Sequence, residues 1–328
     1  MTHTDLARRT MLRGAAAAAA AATATATAAA MSPSSPAAAA PRTVRAGAAS
    51  LRWLGTSGWR IDASGRTILF DPYITRFPTG LFTPDGFTDS TELTTDEGLV
   101  DRHAGRPALI LVSHSHWDHF NDVPYLARST GARVVGTETS YHLLCALGVD
   151  PRQISVVKGG EVLDFDGFTV EVVAGLHSRN ARHAYLFPRT LNAAPAEVPR
   201  TVADLPEGDT LAFQLTVDGG PSVFLMGASD FAERATDGLR PDIAMVAVPS
   251  STSTHRYAPR LMHALGRPPV VVPVHWDNFE LPLASPVRRD PAALLEPLLD
   301  QVRASSPASR IVVPDYRTLY GADMRALR

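Results

Sequence analysis

The chain has 328 residues, of which 45% are hydrophobic and 20% are charged, a composition typical of a globular protein with a large core. Its 31 basic and 33 acidic residues give a net charge of −2, so no overall positive field exists and we expect no nucleic-acid partner. The single cysteine, Cys145, excludes an intramolecular disulfide and a cysteine-based zinc finger, so any metal site must use histidines and carboxylates.

The first 50 residues have the composition of a targeting segment and an alanine- and proline-rich linker. Arg8 and Arg9 precede Arg13, an alanine and threonine run through Ala30, and a stretch rich in serine, proline and alanine to Ala40. This segment resembles a twin-arginine signal peptide, which implies export to the periplasm or the cell exterior by the twin-arginine machinery. A disordered alanine-rich tail is the alternative. Because alanine and threonine partition poorly into hydrocarbon, we expect no stable membrane anchor.

Residues 51–328 alternate short apolar runs with glycine, proline and aspartate, and we interpret them as one domain. The apolar runs predict strands and the helically spaced apolar residues predict helices. The predicted strands are Thr67–Phe70, Ala108–Val112, Arg133–Val135, Thr169–Val173, Leu211–Val217, Ser222–Leu225, Ile243–Val248, Val270–Val274 and Ile311–Val313. The predicted helices are Val123–Arg128, Ser140–Leu147, Pro259–Leu265 and Pro291–Arg303. Hairpins followed by strand–helix alternation in each half predict two stacked sheets with helices outside.

The strand predicted at Ala108–Val112 runs into a cluster of metal-binding side chains, His114, His116, Asp118 and His119. In an extended segment, residues two apart point to the same side, so His114 and His116 can hold one ion. A turn into a helix after the motif would swing Asp118 and His119 toward a second position. Because imidazole and carboxylate are good zinc ligands, the cluster predicts a metal centre.

The sequence His114-x-His116-x-Asp118-His119 resembles the signature of the metallo-β-lactamase superfamily. Further features of that pattern follow in order over residues 50–320. They are an early strand ending in glycine at Leu51–Gly55, a strand ending in Asp71, a mid-chain strand followed by His177, a strand ending in Gly227 with Asp230 beyond it, and a late strand followed by His275. The resemblance implies a mixed α/β (α+β) fold, the four-layer αββα sandwich, with the metals at one edge between the sheets.

The resemblance also implies how the ligands are shared. His114, His116 and His177 would hold one ion, Asp118, His119 and His275 the other, and Asp230 would bridge them. One departure concerns the bridge, because the family has this aspartate directly after the glycine, whereas Ala228 and Ser229 intervene here. If Asp230 misses the metals, the second site would be weak or empty. Asp71 is expected to support a ligand or a loop rather than to bind metal itself.

Two divalent ions, expected to be zinc, lower the pKa of a shared water to about 7 and so supply a hydroxide nucleophile. We expect hydrolysis without a covalent protein intermediate, with Asp118 or Asp230 orienting the nucleophile. Residues 113–122 and Val274–Asp277 look most like the branch that contains ascorbate-6-phosphate lactonase and N-acyl-phosphatidylethanolamine phospholipase D. This likeness implies a small-molecule substrate with an ester, lactone or phosphodiester bond.

Other segments are candidates for the substrate pocket. The apolar loop Tyr73–Phe87 is either a lid over the substrate or a loop folded against its own core. Arg179, Arg182 and His183 follow His177 and either bind a phosphate or carboxylate or form a solvated hairpin turn. Weaker candidates on a later loop are His255 and Tyr257.

Two other classes of function are compatible with the sequence. One is a redox di-iron protein on the same fold, which the absence of an evident flavin partner domain disfavours. The other is a secreted binding protein that keeps the fold without catalysis, which the apparent presence of all seven ligand positions disfavours.

Overall fold

A computed structural model describes residues 47–284 and 286–327 of the chain. The signal segment predicted for residues 1–50 lies outside the described residues as far as residue 46. In the part of the chain that is described, no helix has both the length and the apolarity needed to cross a membrane.

The strands and helices alternate along the chain in two successive halves. The strands are β1 Ala49–Gly55, β2 Gly58–Ala63, β3 Arg66–Phe70, β4 Pro107–Leu111, β5 Arg133–Gly136, β6 Ile154–Val156, β7 Val162–Phe165, β8 Phe168–Leu176, β9 Leu211–Val217, β10 Ser222–Met226, β11 Asp230–Phe231, β12 Ile243–Ala247, β13 Val270–Val274, β14 Arg310–Ile311 and β15 Leu319–Gly321. The α-helices are α1 Glu97–Ala104, α2 Trp117–Phe120, α3 Val123–Thr130, α4 Glu138–Ala146, α5 Glu233–Thr236, α6 Tyr257–Ala264 and α7 Leu295–Ser305.

The described strands form two sheets of similar design. The first has the order β15-β1-β2-β3-β4-β5-β6, and the second has the order β11-β8-β9-β10-β12-β13-β14 with β7 beside β8. Pairing is antiparallel from β15 to β3 and from β8 to β10, and it is parallel from β3 to β6 and from β10 to β14. Helices fill the crossovers between the parallel strands, as parallel connections require. The strand β15 closes the first sheet by pairing with β1.

The inner faces of the two sheets share one hydrophobic core. Phe70 on β3 meets Phe213 on β9 edge to face, with ring centroids 6.1 Å apart. On the outer face of the first sheet, Ile110 packs in a second cluster with Leu126 of α3 and Leu143 of α4. The helices α6 and α7 cover the second sheet. This arrangement confirms the predicted four-layer αββα sandwich.

All nine strands predicted from the apolar runs are present, with ends that differ by a few residues. The predicted helix Pro291–Arg303 is correct only from Leu295 onward. Its first turn is replaced by a loop in which the Asp290 carboxylate accepts a hydrogen bond from the Ala292 N–H at 2.8 Å. An aspartate that bonds the backbone two residues on stabilises a turn instead of a helix start.

Strand direction brings the predicted ligands to one edge of the sandwich. The parallel strands β3 and β4 end just before Asp71 and the His114 motif. In the second sheet, β8, β10 and β13 run in one direction, and His177, Gly227 and His275 directly follow them. Carboxyl ends of strands that run in one direction meet at one edge, which is where open α/β sheets place their sites.

Candidate metal centre

Three histidines from different parts of the chain meet at this edge. His114, His116 and His177 each offer a nitrogen, and these nitrogens lie within 4.8 Å of one another. The ring centroids are 4.9, 4.9 and 4.8 Å apart, and the rings cross at 80–82°. Three nearly equidistant and mutually perpendicular rings converge on one point, as ligands of a single ion do. We call these residues the three-histidine group.

Hydrogen bonds fix which nitrogen of each ring is free. His114 Nδ1 lies 2.9 Å from Ser113 Oγ, and His177 Nδ1 lies 2.7 Å from the carbonyl oxygen of Ser178. His116 uses its other nitrogen, Nε2, which lies 2.9 Å from the carbonyl oxygen of Leu186. When these nitrogens donate, Nε2 of His114, Nδ1 of His116 and Nε2 of His177 keep free lone pairs. His114 Nε2 is buried and has no hydrogen-bond partner among the described residues.

The three-histidine group is uncharged at neutral pH. Burial lowers the pKa of His114 well below its ordinary value, the pKa of His116 to about 4 and the pKa of His177 to about 3. The neighbouring imidazoles also oppose protonation. Since only the neutral imidazole binds a metal ion, the group is in its ligand form at pH 7.

Asp118, His119 and His275 form a second group beside the first, with ligand atoms within 4.8 Å of one another. Asp118 Oδ2 lies 3.1 Å from His275 Nε2 and 3.5 Å from His119 Nε2. Burial would raise the pKa of Asp118, but His119 and His275 outweigh this effect and hold that pKa well below its usual range. We call these residues the mixed group, since it joins a charged carboxylate to two imidazoles.

The helix α2 explains how six consecutive residues serve both groups. His116 is still extended, and the N–H groups of His119 and Phe120 both donate to its carbonyl oxygen at 3.0 Å. Asp118 and His119 therefore lie on the first turn of α2, as the sequence predicts. The rings of His114 and His119 are 4.0 Å apart, so the two groups are direct neighbours.

The buried carboxylate of Asp71 connects the two groups. Its Oδ2 accepts hydrogen bonds from His119 Nδ1 at 2.8 Å and from Ser113 Oγ at 2.5 Å. Its Oδ1 accepts from the Ser113 N–H at 2.7 Å. Because Ser113 Oγ also lies beside His114, one carboxylate orients a histidine in each group. Asp71 also forms a ligand-like set with His114 and His119, but its oxygens already accept three hydrogen bonds. The role of Ser113 is not predicted from the motif, although this residue stands at a strand end directly before His114.

The structure does not bring Asp230 to either group, contrary to its predicted bridging role. Asp230 begins β11 and pairs with Leu176 of β8, and its Oδ1 accepts from the Phe231 N–H at 2.8 Å. Ala228 and Ser229 line the cavity in its place. These two residues carry the chain past the metal centre before the aspartate, so Asp230 belongs to none of the ligand groups of the described residues.

A cavity of about 380 Å³ lies in front of both groups, and we call it the central cavity. Much of its wall is apolar: Leu81, Phe82, Trp117, Tyr185, Leu186 and Phe279. The loop Tyr73–Phe87 is partly folded against its own core, and its role as a lid over the substrate stays a prediction. Leu81 and Phe82 face the cavity, whereas Tyr73 and Phe77 are buried in the core beneath the loop.

The other candidate substrate residues do not line the central cavity. Arg179 stacks on the Tyr185 ring, 5.0 Å from its centroid, and faces an adjoining cavity on the other side of His177. Arg182, His183 and His255 are exposed. Tyr257 is a core residue that is 1% exposed, and its hydroxyl donates to the carbonyl oxygen of Ala247 at 3.0 Å. The prediction for Tyr257 is wrong because its loop position is the buried first turn of α6.

Comparison with known proteins agrees with this architecture. Residues 50–275 match the Beta-lactamase superfamily domain. A metal-dependent hydrolase of Cupriavidus taiwanensis is 30% identical over 258 residues, which cover 74% of this chain and 82% of the relative.

Two solved structures share the fold at low sequence identity. Igni18, a metallo hydrolase from Ignicoccus hospitalis, aligns with a TM-score of 0.54 and 19% identity over 83% of this chain and 97% of its own. CmlA, a diiron beta-hydroxylase from Streptomyces venezuelae, aligns with a TM-score of 0.53 and 12% identity over 85% of this chain and 54% of its own. These two likenesses show the fold alone.

The position of Asp230 generates a first prediction. Asp230→Asn should leave metal content unchanged, because its carboxylate belongs to none of the ligand groups of the described residues. Asp118→Asn, a matched change, should release metal because it removes the one carboxylate of the mixed group. Metal content after gel filtration measures both effects. Loss of metal in Asp230→Asn equal to that in Asp118→Asn would show that the sequence-based bridge is correct and this placement is not.

The close approach of Gly227 generates a second prediction. A Cβ on Gly227 would overlap Ser113 Oγ and lie 2.9 Å from Asp71 Oδ2, the two atoms that orient His114 and His119. Gly227→Ala should therefore weaken metal binding by roughly 10-fold to 100-fold, the usual effect of disturbing residues that orient ligands. Gly98→Ala in α1 is the control, because a Cβ there meets no atom closer than 3.6 Å. Zinc affinity measured with a competing chelator should differ between the two variants, and equal affinity would contradict the prediction.

Proposed function

The chain belongs to the beta-lactamase superfamily and is a metal-dependent hydrolase, and we propose that it binds two zinc ions and cleaves a carboxylic ester or lactone. The observation that carries this proposal is the pair of adjacent ligand groups that open onto one largely apolar cavity. The three-histidine group would hold one ion and the mixed group the other.

The residues present fit divalent ions of this kind. His114 Nε2 is buried without a hydrogen-bond partner among the described residues, a costly arrangement for a polar atom that lacks a ligand. The donor set is imidazole nitrogen and carboxylate oxygen, which zinc prefers. Bound zinc would supply Lewis acidity, which lowers the pKa of water to about 7 and polarises the carbonyl that is attacked.

The chain's own residues bind and orient the reactants. The Asp118 carboxylate is charged at neutral pH and faces the central cavity, so it can accept a hydrogen bond from the attacking water and align it. Because the pKa of Asp118 is low, this carboxylate is better suited to orienting the water than to taking up its proton. Trp117, Phe82 and Phe279 line the same cavity and would exclude water from the reacting bond.

The lining of the central cavity favours a carbonyl substrate over a phosphodiester. Among the described residues that line it, there is no lysine or arginine. Phosphate groups are usually bound by such cations, whereas an ester or lactone needs only an apolar wall and a polarised carbonyl. Asp290 at the cavity wall adds an acidic side chain that would repel a phosphate. The proposed substrate is therefore an uncharged ester or lactone with an apolar group.

The test is a panel of aryl esters, lactones and phosphodiesters with the native protein, His116→Ala and Asp118→Ala. We expect ester or lactone hydrolysis that a chelator abolishes and zinc restores, with a loss of more than about 100-fold in both variants because each removes a ligand. About two zinc ions per chain should be bound in protein isolated from its host.

Each alternative gives a different result in these measurements. Phosphodiester hydrolysis alone would overturn the substrate assignment. Iron with visible absorbance in place of zinc would indicate a redox di-iron protein. Complete inactivity of the metal-loaded protein over the whole panel would favour a binding protein.

We also propose that the protein is exported by the twin-arginine machinery, an inference supported by Arg8 and Arg9 ahead of the alanine-rich run. Replacing both arginines by lysine should retain the full-length precursor in the cytoplasm, because the pair identifies the signal to the translocase. Immunoblots of cytoplasmic and exported fractions measure this outcome. Export that is unchanged in the double variant would refute the proposed route.

A further inference from the structure

The last ligand, His275, lies in a strained turn that the rest of the chain holds in place. Its φ is +60°, a left-handed conformation that is uncommon for a residue other than glycine. Its backbone N–H donates to the carbonyl oxygen of Thr56 at 2.7 Å. Thr56 lies in the tight turn between β1 and β2 and also has a positive φ, +51°. Such conformations persist only when surrounding contacts determine them.

The Asp277 side chain forms a second link between the turn at Thr56 and the segment that carries His275. Both oxygens of its fully buried carboxylate accept from the Thr56 N–H, at 3.0 and 3.2 Å. The peptide groups of Thr56 are therefore bonded twice by the His275 segment, once through the carbonyl oxygen and once through the N–H. Any movement of Asp277 would shift the backbone that carries the His275 imidazole.

The Arg76 guanidinium and the Tyr316 hydroxyl both bond to the Asp277 carboxylate. Arg76 Nη2 lies 2.7 Å from Asp277 Oδ2, and both side chains are almost completely buried. The Tyr316 hydroxyl donates to the same oxygen at 2.6 Å, and Arg76 Nη2 also donates to the carbonyl oxygen of Asn278 at 2.8 Å. Gly55 leaves the space that the Arg76 guanidinium fills, since a Cβ there would overlap it.

An ion pair at this depth is poorly explained by stability alone. Removing both charges from water is costly, and an apolar pair of similar volume often stabilises a fold as well or better. The pair does fix geometry, because it joins the turn before β2, the loop that supplies Leu81 and Phe82, and the segment that supplies His275.

We propose that Asp277, held by Arg76 and Tyr316, is a positioning residue that sets the place of His275 and so the metal affinity of the mixed group. This assignment rests on the proposed two-ion function. Among the described residues, Asp277 forms no hydrogen bond or ion pair with a ligand side chain, so its effect passes through the Thr56 and His275 backbone.

The experiment isolates one ligand group at a time and uses cobalt(II) alone as the probe. His177→Ala disables the three-histidine group and leaves the mixed group, and His275→Ala does the reverse. Asp277→Asn and Tyr316→Phe are added to each background, and cobalt affinity is read by titration of the d–d absorbance. Val302→Ala in α7 is the control for a simple loss of stability, because Val302 is buried in the core.

We expect Asp277→Asn to raise the cobalt Kd of the mixed group by about 10-fold to 100-fold, the range for residues that orient ligands. Tyr316→Phe should have a smaller effect in the same direction, because Arg76 still holds Asp277. Neither change should alter the Kd of the three-histidine group, and Val302→Ala should alter neither group.

Two results would overturn the proposal, and they differ in what else they overturn. If Asp277→Asn and Tyr316→Phe leave the mixed-group Kd unchanged, or weaken cobalt binding equally in both groups, only the positioning role fails. If the His177→Ala protein binds no cobalt while the His275→Ala protein binds one ion, the two-ion function fails together with it. Should Asp277→Asn not fold, Tyr316→Phe alone decides the question.

Discussion

The metal centre depends on one buried carboxylate, that of Asp71, which joins two strands of the first sheet to both ligand groups. Its two oxygens accept from the Ser113 N–H, the Ser113 hydroxyl and the His119 ring. A buried carboxylate is costly unless its lone pairs are occupied, and here each bond that stabilises it also orients a ligand. Gly227 of the opposite sheet must approach this junction without a side chain. Close packing of the two sheets and orientation of the ligands therefore both require that residue 227 has no side chain.

The two ligand groups differ in charge, and this difference decides what each contributes. The three-histidine group is neutral and buried, so it costs little electrostatic free energy to assemble before metal arrives. The mixed group carries the negative charge of Asp118, which its own histidines stabilise. Burial lowers the pKa of His119, but Asp118 and Asp71 outweigh this effect and raise it. Protons therefore compete with a cation more strongly in the mixed group, so its affinity for a cation depends more on pH than that of the three-histidine group.

Much of the fold and of the centre follows from the sequence because both depend on local patterns. Continuous apolar runs such as Ile243–Ala247 are buried on both faces and are readily recognised. The strand β2 was missed because Arg60 and Asp62 interrupt it, although Trp59, Ile61 and Ala63 alternate with them toward the core. The His114 motif is local and so was predictable.

What the sequence did not provide depends on contacts between distant residues. The direction of Asp230 is set by pairing of β11 with β8, and the Asp277 ion pair joins residues 201 positions apart. The serine- and threonine-rich segment before Tyr257 predicts a loop, whereas this residue is buried at the start of α6. The candidate ligands and Asp71 follow from the family resemblance, whereas the contacts of Ser113, Arg76 and Asp277 are found only in three dimensions.

The pairing of β15 with β1 has a consequence for how the protein is made. The partner of β1 in the first sheet is β15, which is synthesised only when the chain reaches about residue 320. The ligands of the mixed group extend from Asp118 to His275. Contacts between residues so far apart in sequence form late and slowly. On the ribosome, the three-histidine group can emerge complete long before the other. The mixed group, by contrast, is assembled only after synthesis is nearly finished.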